Sequence, residues 1–283
     1  MIRNLLLLVC LCAWLPAAAH PYAVEQIENV QSADRTRFTS NPDGILSQAA
    51  VARIDSICYG RIIATDGVFS MDGNVAPMDK ICELAEKYNA LVMVDESHSA
   101  GVVGPTGHGV AEQFGVYDKI DIFTGTLGKA FGGAMGGFTT GKKEIIDMLR
   151  QRSRPYLFSN SVAPAIVGAS LEMFRMLKES NALHDKLMSN VNYFRDKMIA
   201  AGFDIKPTQS AICAVMLYDA KLSQDFAARM QEEGIYVTGF YYPVVPKGQA
   251  RIRVQLSAGH EQCHLDKAIQ AFIKVGKELN VIK

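Results

Sequence analysis

The chain has 283 residues, with 29 Lys or Arg against 29 Asp or Glu, so its formal net charge is zero. That balance gives no basic field for nucleic acid and no charged tail for a membrane surface. A hydrophobic fraction of 49% excludes a disordered chain, and the length suffices for one large or two ordinary domains.

The first residues differ from the rest. Met1-Ile-Arg-Asn4 runs into an apolar stretch from Leu5 to Pro16 and then Ala17-Ala-Ala19. A basic start, a short apolar core and small residues read as a signal-like or displaced leader over 1–19. The run is too short for a comfortable membrane span. Pro42-Asp-Gly44 is a turn, and 45–57 predicts a helix. A strand over 61–65 then ends in the loop Asp66-Gly-Val-Phe-Ser-Met-Asp-Gly73. Pro77 opens a helix with Ile81, Leu84, Ala85 and Tyr88 on one stripe. Residues 90–94 are apolar throughout, as in a buried parallel strand. Four glycines and Pro105 make 101–109 a loop. A strand over 120–124 leads into Thr124-Gly-Thr-Leu-Gly-Lys129 and a glycine-rich run at 132, 133, 136 and 137. Residues 138–140 read as a short strand, 142–151 as a helix and 155–164 as irregular. Helices follow over 165–177 and 182–201. The order then becomes strand 211–218, helix 223–232, strand 235–238, loop 241–248, strand 250–257 and helix 261–279. Strand–helix alternation first and a mixed order afterwards predict a large doubly wound α/β domain over 35–180 and a smaller α+β domain over 181–283.

Cys58, Cys82, Cys213 and Cys263 are widely spaced, with no Cys-x-x-Cys pair. They read as small apolar residues of a reduced protein, and no metal site is expected.

The chemistry gathers at strand ends. In an open α/β sheet the carboxyl ends of the strands line the ligand crevice. Asp95 and His98 end one apolar strand and Lys129 follows the next, so the three are expected to meet. A lysine that forms an imine and an aspartate that pairs with a pyridinium nitrogen suit pyridoxal phosphate (PLP). Thr126, three residues before Lys129, offers a hydroxyl for a phosphate, as do Ser70, Ser159 and Asn160. The glycines do not form a Gly-x-Gly-x-x-Gly dinucleotide fingerprint. Arg251 and Arg253 share one face of a strand. Spacing alone favours a surface role for Arg251 and leaves Arg253 open between surface and carboxylate binding.

Taken in order, the 66–73 loop, Val94-Asp-Glu-Ser-His98, Thr124 to Lys129, Arg152 to Asn160 and Tyr242 to Arg253 resemble the α-oxoamine synthases. These are PLP enzymes of fold type I, the aspartate aminotransferase fold. The resemblance covers roughly residue 35 to the C-terminus. It implies that Lys129 is the Schiff-base lysine and moves the α-proton, that Asp95 partners the pyridinium, and that His98 lies near the ring oxygen. Ser70 and Thr126 match cofactor contacts. Ser159 and Asn160 match a segment that reaches the cofactor of the other subunit, so a homodimer is implied. Arg253 matches the residue that binds the amino-acid carboxylate. The implied reaction condenses glycine with acetyl-CoA to 2-amino-3-oxobutanoate and CoA, or runs in reverse in threonine degradation. A sister reaction using alanine or serine and a longer acyl-CoA, as in 8-amino-7-oxononanoate synthesis, is the alternative, and an inactive truncated relative is another. Family members carry a longer N-terminal part, with a phosphate-binding turn and a histidine stacked on the ring. Neither can be placed here, and His20 is not assigned the stacking role, so the chain reads as N-terminally truncated. The family implies a cytoplasmic or mitochondrial protein.

Overall fold

A computed structural model describes residues 61–132 and 135–283. The leader over 1–19, the turn at 42–44, the helix expected over 45–57, Cys58 and Gly133 lie outside the described residues. The described chain divides into two compact units. The first holds residues 61–68 and Ala76–Leu177, the second Phe69–Val75 and Lys178–Lys283. The seven residues after Val68 thus belong with the C-terminal unit, although their place in the sequence assigns them to the N-terminal one.

The first unit is built on a four-stranded sheet in the order β1-β2-β3-β4. Strands β1 (Arg61–Asp66), β2 (Ala90–Asp95) and β3 (Ile122–Thr126) run parallel, and β4 (Gly137–Gly141) is antiparallel to β3. Val92, Met93 and Val94 are buried, as expected of a parallel strand covered on both faces. Helix α1 (Met78–Lys87) packs on β1 and β2. Its buried stripe is Met78, Cys82 and Ala85, one step round from the predicted one; Ile81, Leu84 and Tyr88 are half-buried. The 101–109 loop carries glycines with positive φ at 101, 104, 107 and 109 and feeds a one-turn helix, α2 (Val110–Phe114). Helices α3 (Lys143–Arg152), α4 (Arg154–Phe158) and α5 (Pro164–Glu179) complete the unit as far as Leu177. The stretch expected to be irregular therefore begins as a short helix. Pro155 sits in its first turn, where a missing N–H removes no helical bond.

The second unit has a three-stranded antiparallel sheet in the order β5-β7-β6, from β5 (Ile212–Tyr218), β6 (Thr238–Phe240) and β7 (Ala250–Gln255). Helices α6 (Ala182–Ala200), α7 (Ala220–Glu232) and α8 (Gln262–Glu278) accompany it. Strand β6 starts three residues later than predicted. Ile235 N–H donates to the Met230 carbonyl and so still closes α7, and Tyr236 stands exposed.

Phe272 of α8 is fully buried, and its ring centroid lies 5.5 Å from Phe226 and 6.0 Å from both Phe194 and Phe203. Deleting a buried ring removes its transfer energy and leaves a cavity that rigid neighbours cannot fill. Phe272→Ala is therefore expected to lower stability by about 3–5 kcal/mol, read as a shift in the urea midpoint. No described helix is long and apolar enough to cross a membrane.

Candidate active site

One row of side chains crosses the carboxyl end of the first unit's sheet. Asp66 of β1, Asp95 of β2, Thr124 of β3 and Thr139 of β4 stand in register. Neighbouring strands lie about 4.8 Å apart, so in-register residues of the parallel strands point their side chains the same way. The Thr124 hydroxyl donates to Asp95 Oδ2 at 2.8 Å, and Ser97 N–H donates to Oδ1 at 2.8 Å. The second bond is an aspartate turn that bends the chain as it leaves β2.

That bend carries His98 to Lys129. Lys129 Nζ and His98 Nε2 are 2.9 Å apart. With Lys129 as ammonium, its N–H donates to an imidazole that carries its own proton on Nδ1. Two backbone features hold the pair together. Gly101, at φ +84°, lets the loop after His98 pass Ala130 and Phe131; a Cβ there would lie 3.0 Å from the Ala130 Cβ. Gly132 N–H donates to the Lys129 carbonyl at 2.9 Å and closes the turn that presents the lysine. Lys129 is exposed.

Thr126 has a local job. Its hydroxyl donates to the Gly136 carbonyl at 3.2 Å and accepts from Gly128 N–H at 3.1 Å, shaping the turn before Lys129. Ser159 and Asn160 lie exposed just after α4, beside Tyr156, Leu157 and Phe158, which are exposed as well. Ser70 and Arg253 belong to the second unit, where an Arg253 Nη1 N–H donates to the Ser70 carbonyl at 3.2 Å. Arg251 is not a surface arginine. It is fully buried and ion-paired with Asp72, 179 residues away in sequence.

Two carboxylates escaped the sequence reading. Glu96 is buried and accepts the Ser99 hydroxyl and the N–H groups of Val110 and Ala111, so it holds the start of α2. Burial pushes its carboxyl up against those hydrogen bonds, and its role is structural. Asp66 is the other. It keeps solvent access at the strand end, but protein crowds it. Desolvation first, and then the charge of Asp95, push its carboxyl up to about 6, with Lys129 pulling it down. Its signal was its place at the end of a strand in register with Asp95, which a single sequence does not display.

The sign of that shift sets a pH dependence. A carboxyl raised on folding binds its proton more tightly in the native state, so its contribution is full below about pH 4 and fades as pH rises through about 6. Asp66→Asn removes the destabilising charge. Its thermal midpoint is expected to exceed the parent's at pH 7–8 and to converge with it near pH 4. Parallel melting curves across that range would contradict this account.

Comparisons with known proteins agree with this architecture. The family profile described as aminotransferase class I and II matches residues 10–272. The 2-amino-3-ketobutyrate coenzyme A ligase of Escherichia coli K12 is 56% identical over 221 residues, 78% of this chain and 56% of that protein. The 8-amino-7-oxononanoate synthase of Thermosipho melanesiensis is 51% identical over 222 residues, again 78% and 56%. A serine palmitoyltransferase from S. paucimobilis, solved with a PLP–myriocin aldimine, superposes with a TM-score of 0.77 at 30% identity, over 82% of this chain and 59% of that one. The chain thus spans little more than half the length of these relatives. Its expected α/β fold holds, and the chain belongs to the class I and II aminotransferase family.

Proposed function

We propose that the chain is a PLP-dependent acyltransferase of the glycine C-acetyltransferase (2-amino-3-ketobutyrate CoA ligase) type. It joins glycine to acetyl-CoA, giving 2-amino-3-oxobutanoate and CoA, or runs the same reaction backwards. The observation that carries this reading is the Lys129–His98 pair, 2.9 Å apart at the strand ends beside Asp95. The 56% identical ligase supports the choice of reaction.

The site's charge suits the cofactor. Asp66 and Asp95 stand in register, and burial first, then the charge of Asp95, lifts the Asp66 carboxyl. A protonated pyridine nitrogen would offset that charge. When bound, PLP supplies an electron sink for the negative charge left at the substrate's α-carbon. Lys129 would hold the cofactor through its aldehyde carbon, with release of water, and once the substrate's amine takes its place the freed lysine amine would carry the α-proton. His98 accepts a hydrogen bond from the Lys129 amine and keeps it oriented. Asp95 holds the ring nitrogen's proton, its own oxygens fixed by Thr124 and Ser97. The Thr126 hydroxyl shapes the turn that presents Lys129 and lies in the segment expected to contact the cofactor. Ser70 is a further cofactor contact, and Arg253 binds the amino-acid carboxylate bidentately. Ser159 and Asn160, on an exposed stretch flanked by Leu157 and Phe158, reach the cofactor of a second copy in a homodimer.

The 51% identical 8-amino-7-oxononanoate synthase supports a second reading, with alanine and a longer acyl thioester as substrates. Assaying glycine with acetyl-CoA against alanine with pimeloyl thioester separates the two. Faster turnover of the second pair would replace the first reading. Folded protein that gives no Lys129-dependent visible band with PLP would sink both, leaving an inactive relative.

A further inference from the structure

Segment Phe69–Val75 is clamped onto β7 by a buried ion cluster. Arg251 is fully buried and Asp72 is 3% exposed. The guanidinium pairs with the Asp72 carboxylate, and Lys206 Nζ lies 2.7 Å from the same oxygen. Arg251 also donates to the Met71 carbonyl at 3.2 Å and, through Nε, to the Gln249 carbonyl at 3.0 Å. The segment's far end is tied as well, since the Thr208 hydroxyl donates to the Gly73 carbonyl. Gly73 has φ +81°, and a Cβ there would stand 2.7 Å from the Ser210 hydroxyl oxygen, so only glycine lets the strap lie this close. Within the strap, Gly73 N–H donates to the Phe69 carbonyl at 2.8 Å, and Phe69 N–H to the Asn74 carbonyl at 2.9 Å.

Two residues along β7, and on the same face, is Arg253. Its Nη1 N–H donates to the Ser70 carbonyl at 3.2 Å, and its guanidinium carbon sits 5.0 Å from the centroid of the Phe240 ring. A guanidinium has five N–H donors in a rigid fork, and one bond to a fixed carbonyl sets the plane of the whole fork. The strap therefore fixes the guanidinium, and the buried pair fixes the strap.

We propose that Asp72 and Arg251 are positioning residues for Arg253, holding its guanidinium, through the Ser70 carbonyl, in the orientation that receives the substrate's carboxylate. The role assigned to Arg253 rests on the proposed function; the clamp does not. Asp72 touches no substrate in this scheme and acts only through Arg253.

The test compares the full chain with Asp72→Asn and with Thr208→Val, which loosens the other end of the strap without disturbing a buried charge. The first readout needs no cofactor: the rate at which phenylglyoxal modifies Arg253, mapped by mass spectrometry, with Arg229 of the same unit as the internal control. Both variants are expected to speed modification of Arg253 and leave Arg229 unchanged. The second readout is the glycine concentration that half-saturates the spectral change of the PLP-loaded protein. It is expected to rise about tenfold in Asp72→Asn, and by more than any weakening of PLP binding through Ser70 on the same strap, because the guanidinium depends on the strap for its orientation. Unchanged Arg253 modification in folded variants overturns the clamp. A parallel loss of glycine affinity, PLP affinity and thermal midpoint overturns it too, since that pattern marks general loosening. If no PLP band forms, the proposed function fails and the modification rate alone decides the clamp.

Discussion

Lys129→Ala is expected to abolish the visible absorption band that PLP gives with the parent chain before glycine is added. The reasoning is chemical. Only an amine condenses with the cofactor's aldehyde to a conjugated imine, and the turn closed by Gly132 N–H presents this one beside His98. Alanine leaves the turn itself intact. The backbone bonds of Leu127 to Gly136 and of Gly132 to residue 129 use no lysine side-chain atom. The fold is therefore expected to survive, with a thermal midpoint close to the parent's. Turnover should fall by at least about 10³-fold, as when any covalent group is removed from a site whose parts act as a unit. A band of parental intensity in Lys129→Ala would mean that another lysine carries the cofactor and that the strand-end reading is wrong. Parental turnover would contradict the reading more directly still.

What could be read in the sequence follows the range of the forces involved. Strand β2 was legible because burial on both faces demands an unbroken apolar run, which ends in polar residues where the sheet meets its crevice; β3 mixes Ile122 and Phe123 with Thr124, Gly125 and Thr126 and starts two residues later than the expected 120–124. Lys129 stood out in the sequence only together with Asp95 and His98 at the neighbouring strand's end, since a Gly-Lys turn alone is a common feature. The face shared by Arg251 and Arg253 was legible from strand parity, but their fates were not. Arg251 is buried because Asp72 meets it from far away in sequence, and no local pattern announces such a partner. The same long reach places Phe69–Val75 in the second unit. Asp66 was missed for a related reason: its importance comes from register with Asp95, a relation between strands. The late start of β6 has a local cause. Apolar Ile235 and Tyr236 resemble strand residues, but Gly234, at φ +75°, turns the chain while Ile235 still bonds to α7. Apolar type was a poor guide where a helix cap competed for the same residues.

Asp95→Asn isolates charge from shape. Asp95 accepts two hydrogen bonds, from Ser97 N–H and from the Thr124 hydroxyl. Asparagine can keep the first through its carbonyl oxygen. It can keep the second by donating its amide N–H to Thr124, because a hydroxyl rotates to accept as readily as it donates. The strand end should thus stay in place, and the thermal midpoint should move little. What disappears is the negative charge that would hold the ring nitrogen's proton. A neutral ring withdraws electrons poorly, so removal of the substrate's α-proton becomes the step that suffers. Turnover is expected to fall by about 10²–10³-fold, the usual size of losing one preorganised electrostatic group. The Lys129-dependent band should persist with PLP in excess, at a weaker apparent affinity. The same change relieves Asp66 of its acidic neighbour, so its carboxyl should titrate lower than about 6, and the pH dependence of stability should shift towards acid. The two effects have separate readouts, turnover and melting. A turnover loss without the acid shift would place the Asp95 charge on the cofactor alone, and the acid shift with turnover intact would remove Asp95 from the reaction.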